Sequence, residues 1–89
     1  MFLAKVRGTV VSTSKDERLV GFKLLVVQRL GIEDEYVGMP QVAVDTVGAG
    51  VGETVIVTGG SSARYASSRT DAPIDSTIVG IVDAVEIGQ

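Results

Sequence analysis

The residues of this 89-residue chain that could do chemistry fall into two short runs. The first is Asp45, Thr46, Val47, Gly48, Ala49, Gly50, Val51, Gly52 and Glu53, a glycine turn with a carboxylate at each end. The second is Gly59, Gly60, Ser61, Ser62, Ala63 and Arg64, two hydroxyls and a guanidinium at a break after a strand. Ser61 and Ser62, beside the free N–H groups of a helical turn, could hold an anion. Arg64 could grip a phosphate or carboxylate with two parallel hydrogen bonds. The plainer roles are preferred: a serine caps the helical turn, and Arg64 pairs with a carboxylate of the protein such as Asp45 or Glu53. Asp45, Asp75 and Asp83 could form a carboxylate pair, but each ends or follows a strand, where a short acid caps a turn.

Gly48-Ala49-Gly50-Val51-Gly52 invites comparison with a dinucleotide fingerprint. That fingerprint needs G-x-G-x-x-G between a strand and a helix, because the helix N-terminus holds the pyrophosphate. Here the third glycine is one position early, and residues 53–58 alternate and are β-branched, so a strand follows. A tight β-turn is the better reading. Its glycines mark positive φ or close approach of another backbone, since glycine inside a strand packs nothing.

The sequence has no histidine and no cysteine, which removes the usual bases, nucleophile pairs and transition-metal ligands. No catalytic residue, cofactor or metal is expected. Net charge is −3, with two Tyr, two Phe and no Trp, where a single-strand nucleic-acid binder would show a basic footprint and stacking platforms. The charge is uneven. Residues 1–30 carry Lys5, Arg7, Lys15, Arg18, Lys23 and Arg29 against Asp16 and Glu17, and the remainder carries Arg64 and Arg69 against nine carboxylates. Most of these charges read as solvated faces; the sharper alternative is that basic and acidic edges meet between subunits. No apolar run approaches a membrane span, and Lys5 and Arg7 interrupt the apolar start, so neither a membrane nor a signal peptide is expected and a cytoplasmic location follows by default.

Five strands must position the two runs. Phe2, Ala4, Val6, Gly8 and Val10 fall on one face of the first, with Lys5, Arg7 and Thr9 on the other. Residues 14–18 are a polar connection. Residues 21–30 form a second strand, apolar on both faces through Phe22, Leu24 and Val26 against Leu25 and Val27. A loop over 31–39 ends at Pro40; residues 41–45 and 53–58 are strands three and four; residues 65–76 are a polar loop after one helical turn; residues 77–86 are strand five, also apolar on both faces. The pattern predicts one all-β domain over residues 1–89, a small antiparallel barrel with one short helix. A domain this small buries only about 60–65 % of its unfolded surface, so the apolar surplus of strands two and five is read as an interface with another chain.

These residues carry a likeness. The runs at 3–10, 23–27 and 42–53, then Gly60-Ser61-Ser62-Ala63-Arg64 and the stretch from Pro73 to Asp83, closely resemble the EutN/CcmL-type vertex proteins of bacterial microcompartments, nearly end to end and in order. The V-D-x-V-G-A-G-x-G-E block followed by G-S-S-A-R is highly specific; Gly59 and Thr54 stand where relatives often have larger residues. The resemblance implies a five-stranded OB-like barrel that assembles as a homopentamer with a narrow pore. It implies a structural, non-catalytic subunit capping the corners of a polyhedral shell in the bacterial cytoplasm, with hexameric shell proteins as neighbours and no nucleic acid or membrane partner. Gly48, Ala49, Gly50, Val51 and Gly52 are placed near the fivefold axis, where only small residues fit. Asp45, Glu53, Ser61, Ser62, Arg64 and Asp83 are taken as structural or interface residues. Two readings from other classes stand beside it: an OB-type module for single-stranded nucleic acid, and an anion- or nucleotide-binding module using Ser61, Ser62 and Arg64.

Overall fold

The computed structural model describes residues 1–13 and 15–88; Ser14, the first residue of the expected 14–18 connection, lies outside them. Five strands, β1 (Phe2–Val10), β2 (Lys23–Arg29), β3 (Gln41–Asp45), β4 (Thr54–Gly59) and β5 (Ser76–Val82), close a barrel in the order β1-β2-β3-β5-β4. A helix, α1 (Gly60–Ala66), follows β4, and a single 3₁₀ turn, Glu17–Leu19, precedes β2. Four junctions are antiparallel. The fifth, β3 to β5, is parallel through Val44↔Thr77 and Asp45↔Ile78, so the all-antiparallel expectation needs that correction. A parallel pair needs a long crossover, and β4, α1 and residues 67–75 supply it.

The barrel interior is filled by Ala4, Val6, Leu25, Val27, Ala43, Val55, Val57 and Ile78, closed at one end by Ala49. Alanines alternate with branched side chains because a five-stranded barrel is too narrow for large ones throughout. The single-face reading of β1 fails at a bulge between Val6 and Gly8. Beyond it Gly8 and Val10 pair with Val26 and Leu24, on the face opposite Leu25 and Val27.

A second apolar cluster lies outside the barrel. Val44, Ala63, Ala72 and Ile74 are buried together, with Leu19, Phe22 and Leu24 packed against them. This changes the reading of two segments. The 65–76 segment is not simply a polar loop, since Ser67, Ala72 and Ile74 are buried in it, and part of the second apolar face of β2, at Phe22 and Leu24, is packed against the chain itself while Val26 stays only partly buried. α1 is seven residues long rather than one turn, and Thr77 Oγ1 donates to the carbonyl of Ala63 at 2.7 Å, fastening the helix to β5. β5 ends at Val82, four residues short of its expected end at 86; residues 83–88 run on outside the strand, all of them exposed.

Candidate functional site

The glycine turn is stitched at every level. Asp45, buried at the end of β3, accepts from the N–H of Val47 at 3.1 Å and of Ala49 at 2.9 Å with its two carboxylate oxygens. Glu53 at the far end accepts from the N–H of Gly50 at 2.7 Å, and its own N–H donates back to the Gly50 carbonyl at 3.2 Å. Gly52 N–H donates to the Val6 carbonyl and Val6 N–H to the Glu53 carbonyl, each at 2.9 Å, so the turn hangs on β1. Lys23 Nζ donates to the Ala49 carbonyl at 2.9 Å, a tie from β2 that the sequence pattern gave no sign of. The fully buried Ala49 plugs the barrel, while Val51 stands 63 % exposed at the tip. Gly48 and Gly52 have φ of +79° and +93°, the region that favours glycine. Gly50 does not share it, and a Cβ placed there would meet only Glu53 Oε1 at 3.4 Å, an ordinary contact. Within one subunit, then, Gly48 and Gly52 need to be glycine and Gly50 does not.

The second run is arranged differently from its expectation. Neither serine caps α1. The N-cap is Gly59, with no side-chain cap bond, and Ser61 and Ser62 lie exposed in the first turn. The backbone does the tying: Gly60 N–H donates to the Asp75 carbonyl at 3.1 Å. Arg64 is partly buried near the C-terminal end of α1, and its carbonyl accepts from Ser67 Oγ at 2.8 Å. Among the described residues its guanidinium forms no ion pair, and Asp45 and Glu53 accept from backbone N–H groups of the glycine turn. Asp83 is exposed just beyond β5. Asp45 and Glu53 are thus brought to one turn, and the Ser61, Ser62 and Arg64 group sits apart on α1.

The shifted carboxylates lie elsewhere. The side-chain hydrogen bonds of Arg18, then its backbone N–H, pull Asp16 down from 3.8 to about 2, and Arg69 lowers Asp71 by its side-chain hydrogen bond. Among the described residues no group of His, Cys, Asp or Glu is arranged to hold a metal ion, and no helix is long and apolar enough to cross a membrane.

Fold and turn together define a small barrel whose polar side chains fasten its own backbone. A family model described as "Ethanolamine utilisation protein EutN/carboxysome" matches residues 1–83. The chain is 59 % identical over 86 residues to the bacterial microcompartment shell vertex protein GrpN of Rhodospirillum rubrum, covering 97 % of both chains. It is 51 % identical over 89 residues to the shell vertex protein PduN of Salmonella typhimurium, covering 96 % of this chain and 98 % of that one. The solved structure of GrpN, a pentameric microcompartment shell protein from R. rubrum, superposes with a TM-score of 0.88 at 57 % identity over the whole of both chains. This chain belongs to the EutN/CcmL family of microcompartment shell vertex proteins.

Proposed function

We infer that this chain is a vertex subunit of a bacterial microcompartment shell, closing into a ring of five that caps a corner where hexameric tiles meet. The observation that carries this is the end-to-end match, in sequence and in fold, to a pentameric shell protein. A fivefold ring inserted among hexagonal tiles removes one sector and forces curvature. That task asks for a rigid small barrel and no active site, and the polar side chains at the glycine turn suit it: Asp45, Glu53 and Lys23 are spent on backbone groups of the turn. The subunit works by shape, without catalysis and without nucleic acid.

Residues 48–52 face the fivefold axis in this reading. The turn is compact, its tip is small, and Gly50 is a glycine that the isolated fold does not require, so crowding by neighbouring copies supplies the reason. Ser61, Ser62, Arg64 and Asp83 remain surface groups available to contacts between subunits or with tiles.

The test is to co-produce the hexameric shell proteins encoded with this chain, with and without it. Shells made without it should have open corners, leak, or elongate. Sealed polyhedra formed in its absence, with no related pentamer to substitute, would refute the role.

A further inference from the structure

The peptide unit that joins Ala49 to Gly50 is held at both ends by a charge. Its carbonyl oxygen accepts from Lys23 Nζ at 2.9 Å, and its N–H donates to Glu53 Oε1 at 2.7 Å. Both distances lie in the range of charge-assisted hydrogen bonds, about 2.7–2.9 Å, where the bonds are stronger than neutral ones. In a planar trans peptide the C=O and N–H point in opposite directions. Ammonium and carboxylate therefore sit at opposite ends of one dipole, each against the pole of opposite sign. Such a chain strengthens itself, because each bond polarises the next.

The two residues come from different places. Lys23 opens β2, where the ladder sets it opposite Asp45 at the end of β3. Asp45 is not its partner. Among the described residues Lys23 forms no ion pair, and the two Asp45 oxygens accept from the N–H groups of Val47 and Ala49. Glu53 lies beyond the turn, just before β4. Gly50, between them, brings no Cβ to resist a rotation of the plane, since glycine reaches positive φ about as readily as negative.

We propose that Lys23 and Glu53 together lock the 49–50 peptide in one of its two orientations, as an ion pair relayed through a backbone plane. Turned over, the plane would bring its carbonyl toward the Glu53 carboxylate and its N–H toward the Lys23 ammonium, like sign against like, so each charge opposes the flip. The lock acts inside one subunit and does not depend on the ring inferred above. A ring of identical copies does require one turn shape in every copy, and the lock supplies it at residues 48–52. Lys23 and Glu53 are exposed, so the strength of the relay is modest and falls as salt rises.

The experiment follows the Gly50 amide by NMR in the whole chain, with far-ultraviolet circular dichroism and the exchange of the Leu25 and Val55 amides as the fold readout. Lys23 makes no bond to the Gly50 amide, so its effect there must pass through the plane. Lys23→Met keeps the apolar stem and removes the charge. It should raise hydrogen exchange at Gly50 by roughly three- to tenfold and shift the amide proton upfield, while the Gly52 amide, fixed to the Val6 carbonyl, keeps its rate. Loss of a nearby cation by itself slows base-catalysed exchange, so a rise reports opening of the plane rather than a change of local charge. Glu53→Gln should raise the same rate. In the double variant the rise should be smaller than the product of the two single rises, because the bonds share one dipole. Gly50 exchange in Lys23→Met equal to wild type overturns the relay. A rise shared equally by Gly52 overturns a lock on one plane, since the whole turn would then have loosened. Single effects that multiply without coupling reduce the pair to two independent contacts and overturn the relay as well. A chain that forms no ring would refute the functional reading and leave this test intact.

Discussion

The outer wall of the barrel has two faces made of similar residues and treated in opposite ways. Over β2 and β3, Leu24 and Val44 are roofed by Ala63 of α1 and by Ala72 and Ile74 of the following segment. Over β1, β4 and β5, cross-strand rows place Leu3 beside Ile56 and Gly80, and Lys5 beside Thr54 and Val82. These residues are only partly buried, and the tail and the 31–35 excursion border them without covering them. Apolar residues on both faces of a strand mean only that both faces are covered. They do not tell whether the cover comes from the same chain or from another.

Breaking the roof gives the largest effect. Ile74 is 3 % exposed within the outer cluster, so Ile74→Ala should cost about 2–4 kcal/mol, by lost transfer energy and a cavity. Since the roof is internal, the loss should appear in denaturant unfolding of dissociated subunits as fully as in the ring. A loss confined to the ring would mean that this face, too, is completed by a neighbour.

A smaller effect separates two glycines two positions apart. Gly52 has φ +93°, so Gly52→Val forces a side chain into a strained backbone and should cost about 1–3 kcal/mol in the subunit itself. Gly50 has no such φ and ordinary room for a Cβ. Gly50→Val should therefore leave subunit unfolding close to wild type and lower ring stability, because any crowding comes from other copies at the axis. Equal stability of the Gly50→Val ring would take the turn away from the axis; a destabilised Gly50→Val monomer would show strain that the turn geometry does not contain.

Much of this architecture was legible in the sequence because it is local. Glycines at every second position bounded by Asp45 and Glu53 mark the turn, and β-branched alternation marks β4. What was not legible depends on distant partners. Ala72 and Ile74 sit in a stretch without periodicity, so nothing local announces that they meet Leu24 and Val44. Lys23 reads as a solvated charge until the fold brings its ammonium to the Ala49 carbonyl. The serines after Gly60 have the composition of a cap, yet the Asp75 carbonyl engages the Gly60 N–H, and the serine side chains are left outside. Val85 continues the apolar pattern of β5 and so looks like more strand, although the ladder with β4 stops at Thr54↔Val82. Arg64 was assigned a carboxylate partner by charge alone, and among the described residues the fold brings none to it: Asp45 and Glu53 stay at the glycine turn, apart from α1.

The smallest effect tests how the roof is hooked at its exposed edge. Arg18 binds Asp16 through its side chain and backbone N–H, and its Nη1 donates to the Asp71 carbonyl at 2.6 Å, linking the 3₁₀ turn to the segment after α1. These hydrogen bonds lower Asp16 from 3.8 to about 2. A carboxylate whose pKa is lower in the folded state adds stability above its unfolded value, and the contribution disappears as pH falls through the folded value. The contribution of Asp16 should therefore be complete above about pH 4–5 and fade toward pH 2. Because the pair is on the surface, it should be small and weakened further by salt. Asp16→Asn keeps an oxygen that can accept from Arg18 N–H but removes the charge. It should melt slightly below wild type at pH 6, and the gap should close as the pH approaches 2, where the wild-type carboxylate is itself losing its charge. A gap that persists unchanged at low pH would assign the residue a neutral capping role, and the hook would then owe nothing to the ion pair.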